Sequence, residues 1–308
     1  MIIDIISFSL GTLILYYGAE YLIQGSKSIA IIFNIPSVIV GVTLVALGTS
    51  LPELIVSVLA NIKGETGIVI GNVMGSNITN ISLVLGLTAL VKPIVFPFKQ
   101  IKDDINALII ITALPVIFIF WGDLTNIHGL FFLIFMVGYI TKLVIKKKRF
   151  TGEGSIEKNN YLIIIVKVIV GILGLVLGAH LFVEGATGIA RYLGIPSVVI
   201  GMSLVALGTS LPELITSIVA TRHGEIGFLI GNVIGSNFMN ITVVLGISLL
   251  FQPIEINFYE VMLQSIIMIL LTWFLFYLLK LKEQITKISG SILIVSYIVF
   301  LFFNFYLV

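Results

Sequence analysis

The sequence predicts an all-α integral membrane protein of ten transmembrane helices, arranged as two five-helix repeats of inverted topology. Three observations carry that expectation. The 308 residues are 58% hydrophobic and 10% charged, with a mean hydropathy of +1.19, whereas a soluble domain carries about 25% charged residues. Runs of about 20 apolar residues recur, the length that crosses a ~30 Å hydrocarbon core. The chain also matches itself at a shift of 160 residues: "GVTLVALGTSLPELIVSVLA" (41–60) falls on "GMSLVALGTSLPELITSIVA" (201–220), and "GNVMGSNITNISLVLGL" (71–87) on "GNVIGSNFMNITVVLGI" (231–247). A β-barrel would instead show short segments of alternating hydrophobicity.

The spans fall near 3–23, 37–60, 67–91, 104–121, 126–145, 161–183, 197–220, 227–251, 259–280 and 288–307. The first carries Asp4 and no basic n-region, so it reads as a retained span and not a cleaved signal. The polar stretch "KKKRFTGEGSIEKNN" divides the chain into a first unit (1–145), a linker (146–160) and a second unit (161–308). Five is odd, so the second unit enters the membrane from the opposite side, as in secondary transporters. With the N-terminus outside, all of the 17 Lys and Arg except Lys63 and Arg191 fall at cytoplasmic ends, and so does the linker. The expected location is the plasma membrane.

Spans 1 and 6 carry glycines seven apart, Gly11, Gly18, Gly25 and Gly171, Gly178, Gly185. Seven residues is about two turns, so each trio forms one stripe for close packing or sliding. Glu20 and His180 are matched near the expected ends of these spans, with Glu184 one turn on, and read as helix-end groups reaching for the interface. Glu65 and Glu225 fall in matched loops and read as surface acids or part of an ion vestibule.

Spans 2 and 7 place Glu53 and Glu213 at mid-membrane, at a cost of roughly 2.5–3.5 kcal/mol each. Ser50-x-x-Glu53 has the form of a capping box with Pro52 in the first turn of a restarted helix. Pro52 and Pro212 remove a donor and free the carbonyls of Gly48 and Gly208. Exposed backbone at this depth belongs in a polar cavity. Each stretch thus offers a carboxylate, a hydroxyl (Ser50, Ser210) and backbone carbonyls, beside Thr49 and Thr209. These hard oxygen donors suit Na⁺ and Ca²⁺. In spans 3 and 8, Ser76 and Asn80, and Ser236 and Asn240, share a helix face and are expected to line the cavity. Asn72, Asn77, Asn232 and Asn237 have interhelical hydrogen bonding as the alternative. Gly71 and Gly75 allow close helix approach.

Absences narrow the chemistry. There is no cysteine, so thiolate metal sites are excluded, and the scattered His128, His180 and His223 argue against a His-based zinc site. The net charge of +2 gives no sign of nucleic-acid binding. No cofactor is implied. Two carboxylates without a fixed cation give a site of charge about −2, neutralised by one Ca²⁺ or two Na⁺ and made +1 by a third Na⁺.

On the paired "GTSLPEL" and "GNVxGSN" blocks the sequence resembles the cation/calcium antiporter superfamily, in its sodium/calcium exchanger branch of prokaryotic type. The resemblance covers the whole chain. It implies antiport of Na⁺ against Ca²⁺ by alternating access, with spans 1 and 6 moving and about three Na⁺ per Ca²⁺. It makes Glu53 and Glu213 the Ca²⁺ ligands. Ala46, Thr49, Ser50 and Ser76 would line one Na⁺ site, Ala206, Thr209, Ser210 and Ser236 its counterpart, and Asn80 and Asn240 would border the middle. Some relatives, including the potassium-dependent branch, have aspartate where Asn240 stands, which points to potassium-independent exchange. The linker is too short for the calcium-sensing domains of large animal exchangers. A monomer in the lipid bilayer is the expected functional unit. The alternative reading is H⁺/Ca²⁺ or other divalent exchange, with the glutamates taking up protons. A channel or an intramembrane enzyme finds less support: the inverted repeat argues against the first, and no histidine adjoins Ser50 or Ser210 to activate a nucleophile.

Overall fold

The computed structural model describes residues 1–147, 161–194, 206–256 and 258–307. Most of the linker (148–160) and the start of the seventh span, with its "IPSV", lie outside these residues. The helices are α1 (Ile2–Ile32), α2 (Ser37–Thr49), α3 (Leu51–Ile62), α4 (Thr66–Val91), α5 (Phe98–Trp121), α6 (Asn126–Lys147), α7 (Tyr161–Tyr192), α8 (Ala206–Thr209), α9 (Leu211–Arg222), α10 (Ile226–Phe251), α11 (Phe258–Tyr277) and α12 (Lys287–Leu307). Seven are long and apolar enough to cross a membrane, and α2 with α3 makes an eighth if the bent pair is one span.

The expected mid-membrane break is present. Helix α2 ends at Thr49, α3 begins at Leu51, and their axes differ by 47°. Ser50 sits between them at φ −86°, ψ 9°, and Ser210 between α8 and α9 is nearly identical at φ −88°, ψ 3°. Pro52 and Pro212 occupy the first turn of the restarted helices, where the missing N–H costs nothing. Each capping-box serine leaves the local backbone alone: neither Ser50 nor Ser210 makes a side-chain cap.

Helices α4 and α10 form the centre. Of their apolar windows 72% and 83% lie inside the bundle, against 22–39% for the other five long helices. Both contain a π turn, Asn80–Val84 and Asn240–Leu245, starting at the asparagines expected in the cavity. Such turns insert one residue and commonly mark functional positions. Glycine is required where α3 and α9 turn into the next helix: Gly64 and Gly224 lie at φ +77° and +75°. Short antiparallel pairings join the units, Ile94–Val95 with Gln284–Ile285 and Leu124 with Ile254.

The glycine stripes meet each other. A Cβ on Gly18 would stand 2.8 Å from the backbone nitrogen of Leu175, one on Gly178 2.6 Å from that of Leu15, and one on Gly171 2.6 Å from that of Leu22. Gly11 faces Phe182 and Gly25 faces Val168. As position rises by seven along α1, its partner falls by seven along α7, so the two helices are antiparallel in one continuous register.

The expected ends of spans 1 and 6 require correction. Helix α1 runs to Ile32 and α7 to Tyr192, so Glu20 and His180 lie well inside their helices. Polar residues such as Gln24 and Lys27 end the apolar run without ending the helix. Glu20 is held by Tyr16, Gln24 and His223 and does not reach toward an interface.

Because backbone stands where the new methyl would go, Gly178→Ala is expected to lower stability by about 1–3 kcal/mol. Gly138→Ala, which meets no described atom within 4 Å, should be silent. Thermal unfolding in detergent measures both, and equal melting temperatures would contradict the packing argument.

Candidate functional site

The two helix breaks bring the motif residues together at the centre of the bundle. Glu53 and Glu213 are each third in a restarted helix and 0% exposed. They lie close enough for their charges to interact. Ser50 crosses between units, its Oγ donating to Glu213 Oε1 at 3.1 Å. The Thr49 hydroxyl lies 3.1 Å from Asn232 Oδ1, 3.2 Å from Ser236 Oγ and 3.3 Å from the carbonyl of Ala46. Thr209 and Ser76 flank Glu53 at longer range. These contacts run across the two groups expected from the resemblance, since Thr49 meets Ser236 of the other set. Ala46 is buried; Ala206 is helical.

Two asparagines hold the carboxylate-bearing turns. Asn72 Nδ2 donates to the carbonyl of Glu53 at 3.0 Å and to Ser57 Oγ at 2.8 Å. One repeat later, Asn232 Nδ2 reaches the carbonyl of Glu213 at 3.4 Å and Ser217 Oγ at 3.3 Å. Ser76 and Ser236 follow these asparagines by one turn, on the same face. Each asparagine therefore fixes the distance between a glutamate and the serine beside it. The interhelical hydrogen bonding expected as the alternative is thus present for Asn72 and Asn232. The sequence reading passes over Ser57 and Ser217, although both recur at the 160-residue shift. It also passes over buried Asn61, whose Nδ2 bonds the carbonyls of Ser248 and Gln252 at the end of α10. Nothing in the sequence pattern indicates that long-range contact.

Among the described residues, both oxygens of Glu53, Oε2 of Glu213, both amide atoms of Asn80, Oδ1 of Asn240 and Oγ of Ser210 are buried without a hydrogen-bond partner. Asn240 Nδ2 is occupied by Asn77 Oδ1 at 3.3 Å, and Asn237 Nδ2 by the Asn77 carbonyl at 3.2 Å. No ion pair reaches either glutamate among the described residues, and no group of three His, Cys, Asp or Glu forms there. Buried charges are ordinarily paired or coordinate metal. Two carboxylates ringed by neutral oxygens fit hard cations better than transition metals.

The two copies differ in exposure. Thr49, Asn232 and Gly231 are buried, while their counterparts Thr209, Asn72 and Gly71 are partly or fully exposed.

A helical membrane bundle with broken helices around a buried cluster of oxygen donors is the architecture of a membrane ion carrier. The family model described as sodium/calcium exchanger protein matches residues 3–145 and again 163–306, and the chain belongs to that family. It is 36% identical over 301 residues to an uncharacterized membrane protein of Methanocaldococcus jannaschii, covering 97% of both chains. It is 31% identical to sodium/calcium exchanger MaX1 of Methanosarcina acetivorans, again over 97% of each. Its structure matches the sodium-calcium exchanger NCX_Mj, soaked with zero Na⁺ and Ca²⁺, with a TM-score of 0.85 at 34% identity over 97% of both chains.

Asn232 is fully buried and joins three side-chain or backbone groups, whereas Asn72 is part-buried and joins two. Asn232→Ala is therefore expected to cost more stability than Asn72→Ala, by about 1–2 kcal/mol. Paired melting curves measure the difference; the reverse order would contradict it.

Proposed function

We propose that the protein exchanges Na⁺ for Ca²⁺ across the plasma membrane by alternating access, as a monomer, with about three Na⁺ per Ca²⁺ and no need for potassium. One observation carries the reading: two fully buried carboxylates, close together and ringed by unpartnered oxygens, with no fixed cation among the described residues. A chamber of charge about −2 favours filling by a divalent cation or by several monovalent ones. The neutral asparagine at 240 supports potassium independence.

Glu53 and Glu213 bind Ca²⁺ in this reading. Ala46, Thr49, Ser50 and Ser76 line one Na⁺ position, and Ala206, Thr209, Ser210 and Ser236 the other; Asn80 and Asn240 border the middle. The architecture we propose is ten spans in two inverted units, 1–145 and 161–308, joined by a cytoplasmic linker, with the N-terminus outside. The antiparallel register of α1 and α7 supports the inversion, and the double match of the family model supports the division. The count comes to ten when α12 and the pair ending in α9 join the eight spans above. The greater exposure of Thr209, Asn72 and Gly71 supports access from the outer side in this conformation.

The test is ⁴⁵Ca²⁺ uptake into proteoliposomes driven by an outward Na⁺ gradient. Glu53→Gln and Glu213→Gln should each lower it by more than about tenfold, as loss of a charged ligand in a buried site implies. Undiminished uptake after both changes, or uptake driven equally by a pH gradient alone, would defeat the proposal.

A further inference from the structure

Outside the site, a cluster of charged side chains ties α1 to the turn between α9 and α10. Tyr16, Glu20, Gln24 and Lys27 are spaced four, four and three apart, so they share one face of α1. The glycines that pack on α7 form a separate stripe. From the turn, His223 Nε2 lies 2.9 Å from both Glu20 oxygens, and Glu225 Oε1 lies 2.7 Å from Lys27 Nζ. Tyr16 donates to Glu20 Oε1 at 3.1 Å and Gln24 to Oε2 at 3.4 Å. Lys167 of α7 donates to Gln24 Oε1 at 3.1 Å, and Arg222 stands near Tyr16.

We propose that Glu20–His223 and Lys27–Glu225 form a latch that closes the cytoplasmic side of the carrier. The inference rests on the exchange reading, in which α1 moves against the rest of the bundle. It goes beyond that reading by naming the contacts that must break.

The latch exists at one end only. At the shift of 160, Glu20 is replaced by His180, Lys27 by Thr187 and His223 by Lys63. The His180 side chain is 75% exposed and faces Glu184 of its own helix at 3.9 Å, and among the described residues it joins nothing across elements. The smooth α1–α7 seam permits movement of both helices, and only α1 carries this tie. The conformation with its inner side fastened is also the one whose outer residues Thr209, Asn72 and Gly71 reach the surface.

The His223 side chain is 47% exposed, and the Glu20 side chain 15%. A pair of that exposure supports a change of about two- to fivefold in rate.

The experiment is Na⁺-driven ⁴⁵Ca²⁺ flux in oriented vesicles. Removing the latch eases inward opening, so His223→Gln and Glu20→Gln should each run about two- to fivefold faster than wild type, while His180→Gln, outside the latch, should match wild type. Wild-type rates in both latch variants overturn the latch. A second arm uses the absence of native cysteine. In a Glu20→Cys, His223→Cys chain, oxidation to the disulfide should stop exchange and reduction restore it. Exchange that continues through the cross-linked protein overturns the latch while leaving the chamber reading intact. A wild-type protein with no Na⁺-driven flux defeats the chamber reading itself, and the latch falls with it.

Discussion

A carboxylate far from water must find a positive partner or lose its charge. This structure places two of them, Glu53 and Glu213, together at its most enclosed point and supplies no lysine or arginine among the described residues to meet them. The surrounding features serve that arrangement. The helices break so that the acids and their hydroxyl neighbours converge. The asparagines at 72 and 232 keep the broken turns from drifting. The two most buried of the long helices, α4 and α10, carry Ser76, Asn80, Ser236 and Asn240 at their centres.

The economy of the break is notable in its details. A capping serine would ordinarily satisfy its own helix. Here Ser50 turns away and bonds Glu213 of the other unit, while Asn72 and Asn232 brace the backbone from a neighbouring helix. Local helix stability is given up to knit the two units together at the site. The same logic explains why the "GTSLPEL" and "GNVxGSN" blocks travel as a pair: one holds the acid, the other holds the turn that carries it.

Much of this was legible in the sequence, because a chain in lipid has few ways to satisfy its backbone. The repeat at 160 residues, the break beside Pro52 and Pro212, the matched glycine stripes and the central place of Ser76, Asn80, Ser236 and Asn240 all follow from pattern and spacing. What escaped it depends on contacts distant in sequence. Hydropathy ends a span where polarity begins, so α1 and α7 were expected nine residues too short at their C-terminal ends. The partners of Glu20 lie some 200 positions away, and no periodicity reports them. Asn61 and the cross-unit bond of Thr49 to Ser236 escaped for the same reason. A repeat suggests oxygens grouped by unit and gives no sign of contacts between the units.

The short strands near the bundle ends have a further meaning. Ile94–Val95 belongs to the first unit and pairs with Gln284–Ile285 of the second, while Leu124 returns the favour to Ile254. Each unit thus hooks a stretch of backbone onto the other at two separate places. These pairings hold the units to each other besides the covalent connection between them. The molecule is better regarded as two interlocked clasps than as two beads on a string.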